Sequence, residues 1–142
     1  MFLEKVMFEN TIFGIILKSE FHEDGIKFFT SDKDSQQLGY MNRPENYEIL
    51  PHRHNLVSRE VHLTQEVLFI KSGKVRVDFY SNEQEYLESR ILNAGDVILL
   101  ADGGHGFKML APSEIIEVKQ GPYCGEMDKV RFEPISEEKI KL

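Results

Sequence analysis

Residues 61–70, VHLTQEVLFI, constrain the fold of this chain more than any other stretch. Side chains along a strand alternate between faces. His62, Thr64, Glu66, Leu68 and Ile70 therefore share one face, and Val61, Leu63, Val67 and Phe69 the other. A strand that is apolar on both faces through its later half belongs inside a fold. The His62–Glu66 spacing would also align on a helix, but the β-branched and aromatic residues around it favour a strand. Glu66 then enters the interior with the inward set. A buried carboxylate is costly unless it is paired or bound to a cation. Upstream, His52 and His54 stand at i, i+2 spacing and would present two imidazoles to one side of an extended chain, so a cation shared with them is the simplest partner.

The rest of the chain breaks into short strands at turn signals. Residues 11–18, 25–30 and 38–42 read as strands, with the polar stretch 31–37 as a loop. After Ser72-Gly73, Val75, Val77 and Phe79 alternate with Arg76, Asp78 and Tyr80, the pattern of a half-buried strand. Residues 86–92, 97–100, 105–109 and 114–119 follow, separated by Asn93-Ala94-Gly95-Asp96, Asp102-Gly103-Gly104 and Pro112-Ser113. Only 134–142 has any helical character. Many short strands at this spacing predict an all-β sandwich or barrel.

Length and charge narrow the function. A chain of 142 residues is one domain by the usual prior. Its net charge of −7 argues against nucleic acid or an anionic membrane as partner, because both select a basic field. No apolar run approaches the ~20 residues of a membrane span, and Glu4 and Glu9 do not suit a secretory signal. With a single cysteine, Cys124, there is no disulfide framework, and the expectation is a cytoplasmic protein.

A second chemical stretch spans 95–107, GDVILLADGGHGF. An apolar strand hands over to a glycine-rich turn that places His105 at the start of the next strand, and such glycines let the chain pass close to a bound group. One region thus supplies His52, His54 and Glu66, and a distant one supplies His105. That three-plus-one set suits a divalent metal held by imidazole and carboxylate, with positions left open. There is no G-x-S-x-G elbow, phosphate-binding loop or C-x2-C pair.

His52-Arg53-His54, the Glu66-x6-Gly73 hairpin, and Gly95, Gly103 and His105 together resemble the two motifs of the RmlC-like cupin superfamily. P-H-R-H at 51–54 and the closing EVKQGPYCGEMDKVRF are similar to the WbuC-like cupins, encoded among surface-polysaccharide genes. The resemblance implies a single double-stranded β-helix, the jelly-roll or cupin barrel, with extra N-terminal strands. Residues 1–50 would hold those strands, 51–121 the barrel core with both motifs, and 122–142 a C-terminal tail. It implies one divalent metal ion (iron, manganese, nickel or zinc) on His52, His54, Glu66 and His105. An alternative register reads Glu60-Val61-His62 as the first ligand pair, with Glu66 at the shorter spacing.

The function expected from this likeness is a metal-dependent enzyme of isomerase or epimerase type, acting on a small polar, sugar-derived substrate. Three other readings stay open: an iron-dependent dioxygenase, a metal-free epimerase using a histidine base and a tyrosine acid, and a non-catalytic metal- or sugar-binding module. His62, Arg59 and Tyr123 are the candidate catalytic residues around the pocket, and Lys129 or Arg131 could hold an anionic group if the tail folds over its mouth. A homodimer built through an edge strand is the expected assembly.

Overall fold

The computed structural model of this chain describes residues 2–142. Ten strands follow one another: β1 (Leu3–Phe8), β2 (Thr11–Leu17), β3 (Gly25–Phe28), β4 (Gly39–Asn42), β5 (Glu66–Ser72), β6 (Lys74–Tyr80), β7 (Tyr86–Asn93), β8 (Val97–Leu100), β9 (Gly104–Met109) and β10 (Glu114–Lys119). The only helical turns among the described residues are two short 3-10 segments, Gly125–Asp128 and Glu137–Lys139. The expected all-β class holds, and no helix among the described residues is long and apolar enough to cross a membrane.

The strands form three antiparallel sheets that are not closed into a barrel. One has the order β1-β2-β8-β5-β10, one the order β7-β6-β9, and β3-β4 is a hairpin by itself. The two larger sheets face one another. Short crossings at Gly73, at 94–96, at 101–103 and at 110–113 carry the chain between them.

Alternation decides which residues fill the space between the sheets. Leu68 and Ile70 of β5, Ile98 and Leu100 of β8, and Val75, Val77 and Phe79 of β6 all point inward and form one core cluster. The opposite faces of β2 and β8 carry Ile15, Leu17 and Leu99, which pack with Phe29 and Leu38 from the ends of the β3-β4 hairpin. The five-stranded sheet is thus apolar on both faces, which explains the unbroken apolar run at 97–100. Full burial of a side chain such as Phe79 contributes about 1.5–3 kcal/mol.

On the outer face of β6, Arg76 and Asp78 are buried as a bidentate pair, with Nε–Oδ1 at 2.7 Å and Nη2–Oδ2 at 3.0 Å. Ser89 donates to the same aspartate at 2.5 Å, and Glu137 of the C-terminal tail reaches Arg76 Nη1 at 2.6 Å. The tail therefore lies over the three-stranded sheet. Its expected helical character is reduced to the turn at Glu137–Lys139.

The expected strand beginning near residue 61 is corrected. β5 starts at Glu66, and residues 43–65 have no regular strand or helix. Strand propensity at Val61 and Leu63 goes unrealised because no neighbouring strand meets their main chain. Among the described residues, no main-chain hydrogen bond joins 48–63 to the rest of the chain.

Candidate functional site

Glu66 opens β5 and His105 stands second in β9, so the two belong to different sheets. Both lie at the same end of the sandwich, where Glu66 Oε2 comes within 3.7 Å of His105 Nε2. Glu66 points inward with Leu68 and Ile70, as its alternation requires. His105 pairs across β6 with the fully buried Phe79. The turn before it depends on Gly103, whose φ is +73°. A Cβ there would stand 2.4 Å from the Phe13 ring and 2.8 Å from the Tyr80 carbonyl oxygen.

The neighbouring edge strand completes the cluster. β10 pairs Lys119 with Glu66 and Glu117 with Leu68, placing both charged side chains on the inward face. Around them opens a cavity of about 2400 Å³, lined by Glu66, His105, Glu117, Lys119 and Lys129 among others. The tail passes along this cavity because Phe132 packs edge-on against Tyr80 at 5.0 Å and the Ile135 N–H donates to Tyr80 Oη at 3.0 Å.

Two ionisable groups there are shifted toward neutrality. Burial pushes the Glu66 carboxyl up to about 7, helped by a hydrogen bond to Glu117 and by the charge of Glu117, while Lys119 and Lys129 oppose the shift. Burial pushes His105 below its ordinary value; Glu117 opposes this and Lys129 adds to it. The 3.7 Å separation would count as an ion pair by distance alone. Desolvation of both groups outweighs that attraction, and 3.7 Å is too long for a direct hydrogen bond. The pair is best described as a weak acid beside a neutral imidazole.

Of the four expected metal ligands, the fold brings Glu66 and His105 together and leaves His52 and His54 apart from them. The latter two lie exposed in the segment before β5, their rings 5.3 Å apart and edge to face, with His52 Nδ1 2.8 Å from the Leu50 carbonyl oxygen. Glu60 and His62, the alternative register, meet each other at 3.6 Å with both side chains exposed. Among the described residues no group of three or more His, Cys, Asp or Glu side chains is arranged to hold a metal ion. Glu66 and His105 are chemically suited donors, but two fall short of the three or four protein ligands that a zinc-type ion takes.

The expected catalytic residues Arg59, His62 and Tyr123 line the outer part of the cavity, on its exposed rim. Lys129 acts on both Glu66 and His105, whereas Arg131 is engaged with Glu126 at 2.5 Å. Sequence reasoning missed Glu117 and Lys119. Residues 116–119, Ile-Glu-Val-Lys, alternate apolar and charged, which would ordinarily bury Ile116 and Val118. The structure has the reverse: Ile116 is 52% and Val118 56% exposed, and the charged face looks into the cavity. Comparison of the chain with protein-family models, with curated proteins and with solved structures finds no match.

Proposed function

We propose that this chain is a jelly-roll domain of cupin type whose open end moves protons on a small polar substrate, in the manner of an isomerase or epimerase. The observation that carries the reading is the convergence of Glu66 and His105 from two sheets at the floor of a large open cavity. The nested pairing of β5 with β10 and β6 with β9 supports the fold assignment, because it is a long hairpin rolled across two sheets, as in a jelly roll.

A carboxyl raised to about 7 beside an imidazole that burial holds in its neutral form, both partly desolvated, suits general acid–base catalysis. His105, neutral, can take a proton from a carbon next to a carbonyl. Glu66, protonated over much of the neutral range, can give one to the developing oxyanion. Return of a proton to carbon follows, at the neighbouring atom for an isomerisation or on the opposite face for an epimerisation. The Glu66 carboxylate meanwhile takes back a hydroxyl proton of the enol, which re-forms a carbonyl without net redox change. Lys119 and Lys129 supply positive charge for an anionic group of the substrate. A metal-binding reading of the same pair needs further donors from outside it, and metal analysis of protein purified without chelator addresses that directly.

Incubation with aldoses, ketoses and their phosphates in deuterated water tests the proposal. Wild-type protein should introduce deuterium beside the carbonyl of one substrate class, and Glu66→Gln and His105→Gln should each slow this at least 100-fold, the usual span for losing an acid or base. Exchange that persists in both variants would sink the assignment.

A further inference from the structure

Glu66 begins β5 just after a stretch, 48–63, that makes no main-chain hydrogen bond to the rest of the described residues. A strand end beside such a stretch frays unless a side chain holds it. His105 stands in a similar place. β8 ends at Leu100, and the turn 101–103 leads straight into β9, where His105 is the second residue. The 3.7 Å approach of the two groups thus joins two strand beginnings, and both have to be fixed for it to persist.

Gln65 is buried, 3% exposed, and its side chain takes the face opposite to Glu66. Its amide is fully engaged. Nε2 donates to Asp34 Oδ1 at 2.9 Å and to the Ala101 carbonyl oxygen at 3.3 Å. Oε1 accepts from the Gln36 N–H at 2.9 Å and from Ser35 Oγ at 3.3 Å, so both donors and both lone pairs are used. The Gln65 carbonyl accepts from the Gln120 N–H at 3.0 Å, which carries the β5–β10 ladder one residue past the Glu66–Lys119 pair. Position 65 shares its face with Val67, which packs against Leu38 and Leu99 in an apolar cluster. Burial alone would suit an apolar side chain there. A buried amide with all its partners in place instead rigidifies what it joins. What it joins is the start of β5, the end of β8, the end of β10 and the loop at 34–36. The other side-chain tie at this point, Thr64 to Asp128 of the tail, is exposed.

We propose that Gln65 is the positioning residue of this site. Its neighbour in the chain is Glu66, and the carbonyl it holds, that of Ala101, opens the turn that places His105. One buried side chain therefore sets the two reacting groups relative to one another from behind, without touching either reacting atom or the substrate. The effect on rate rests on the proton-transfer reading of Glu66 and His105; the effect on their placement does not.

Three variants of the full chain test this. Gln65→Met fills the same space without the amide's hydrogen bonds. Gln65→Glu keeps the acceptor bonds from Gln36 and Ser35 but carries at most one proton, which the Asp34 carboxylate takes, so Ala101 loses its donor. Gln36→Ala is the control. It removes the bond from Gln36 Nε2 to Gln120 Oε1, 2.9 Å in the native chain, and leaves all four bonds of Gln65, because Gln36 meets Gln65 through its main chain. The readouts are the His105 ring signals in nitrogen–proton spectra, circular dichroism, and kcat and KM for deuterium exchange. Both Gln65 variants should keep the β circular dichroism, shift the ring signals, and lower kcat about 100-fold with KM little changed, the scale for a misplacement of roughly 1 Å. Gln36→Ala should lower the urea midpoint and keep the wild-type ring signals and kcat. Wild-type ring signals or wild-type kcat in a folded Gln65 variant would overturn the proposal. So would the same shift and rate loss in Gln36→Ala, because any loosening of the loop would then suffice. Unfolding of both Gln65 variants also overturns it, since the amide would then hold the fold and not the site. If wild-type protein exchanges no deuterium, the proton-transfer reading fails alone, and the ring signals still decide whether Gln65 places His105.

Discussion

Glu66 and His105 approach to 3.7 Å across two different sheets, yet neither is held in its charged form. Desolvation at the end of the sandwich acts on both, and it acts in opposite directions on an acid and a base. Each group therefore sits nearer to neutral pH than it would alone in water in the acid's case, and remains an unprotonated acceptor in the base's case. The fold, by starting both β5 and β9 at the same end of the sandwich, produces this relationship without a direct bond between the two.

The raised Glu66 carboxyl makes stability depend on pH. Its folded value is about 7 and its ordinary value 4.5, so the native state holds the extra proton between those limits. Stability from this group is fully present below pH 4.5 and is lost as pH rises through 7, by at most about 3 kcal/mol. His105 works the other way below its ordinary value, so wild type is compared with Glu66→Gln, in which His105 is retained. Urea denaturation of chelator-treated protein from pH 4.5 to 8 should show wild type losing stability relative to the variant. Parallel curves would mean that Glu66 ionises freely.

Most of the fold was legible because alternation and turns are local. Val75, Val77 and Phe79 identified β6, and the turns at Asn93–Asp96 and Asp102–Gly104 bounded β8. Glu66 was legible as an inward carboxylate for the same reason. The fate of 51–65 was not, because a strand needs a neighbour and propensity at Val61 or Leu63 cannot supply one. Glu117 and Lys119 were hidden because β10 turns its charged face inward, against the usual pattern. That inversion follows from the cavity, a long-range property of the two sheets.

Asp96 is a local device whose loss should be costly. It is 2% exposed and accepts from the Ser19 N–H at 2.8 Å, the Asn93 N–H at 2.7 Å and Lys18 Nζ at 3.3 Å. Asp96→Ala leaves two main-chain donors and an ammonium without this partner, and should lower unfolding free energy by about 2–4 kcal/mol. Chemical denaturation measures this, and a loss below about 1 kcal/mol would show that water replaces the carboxylate.

The tail should release in acid. Arg76 and Lys108 hold Glu137 at about 2, well below the ordinary 4.5 for a glutamate, through hydrogen bonds at 2.6 and 2.5 Å. A depressed acid contributes stability above its ordinary value and loses it as pH falls toward the folded value. The protection factor, the exchange rate corrected for the intrinsic effect of pH, should therefore fall below pH 4.5 at the Ser89 amide, which donates to the Lys141 carbonyl at 2.7 Å. Glu137→Gln should show that loss of protection already at neutral pH, with the strands of the core unchanged. Equal protection in the variant would mean that packing of Phe132 and Ile135 alone holds the tail.

Gly103 and Gly25 separate two costs of substituting glycine. Both have positive φ, +73° and +92°, so alanine at either pays the left-handed penalty of about 1–2 kcal/mol. Around Gly25 a Cβ would meet nothing within 4 Å, so Gly25→Ala should cost that amount and no more. At Gly103 the Cβ would meet the Phe13 ring at 2.4 Å and the Tyr80 carbonyl oxygen at 2.8 Å. Phe13 is 3% exposed and belongs to the main core cluster, so it has no free direction in which to move. Gly103→Ala should therefore lose a further 1–3 kcal/mol or so, the range for overpacking a core. It should also shift the His105 ring resonances, because the turn it distorts sets the start of β9. Matching losses in the two variants by urea denaturation would show that the Gly103 turn yields, and that its shape is not what fixes His105 beside Glu66.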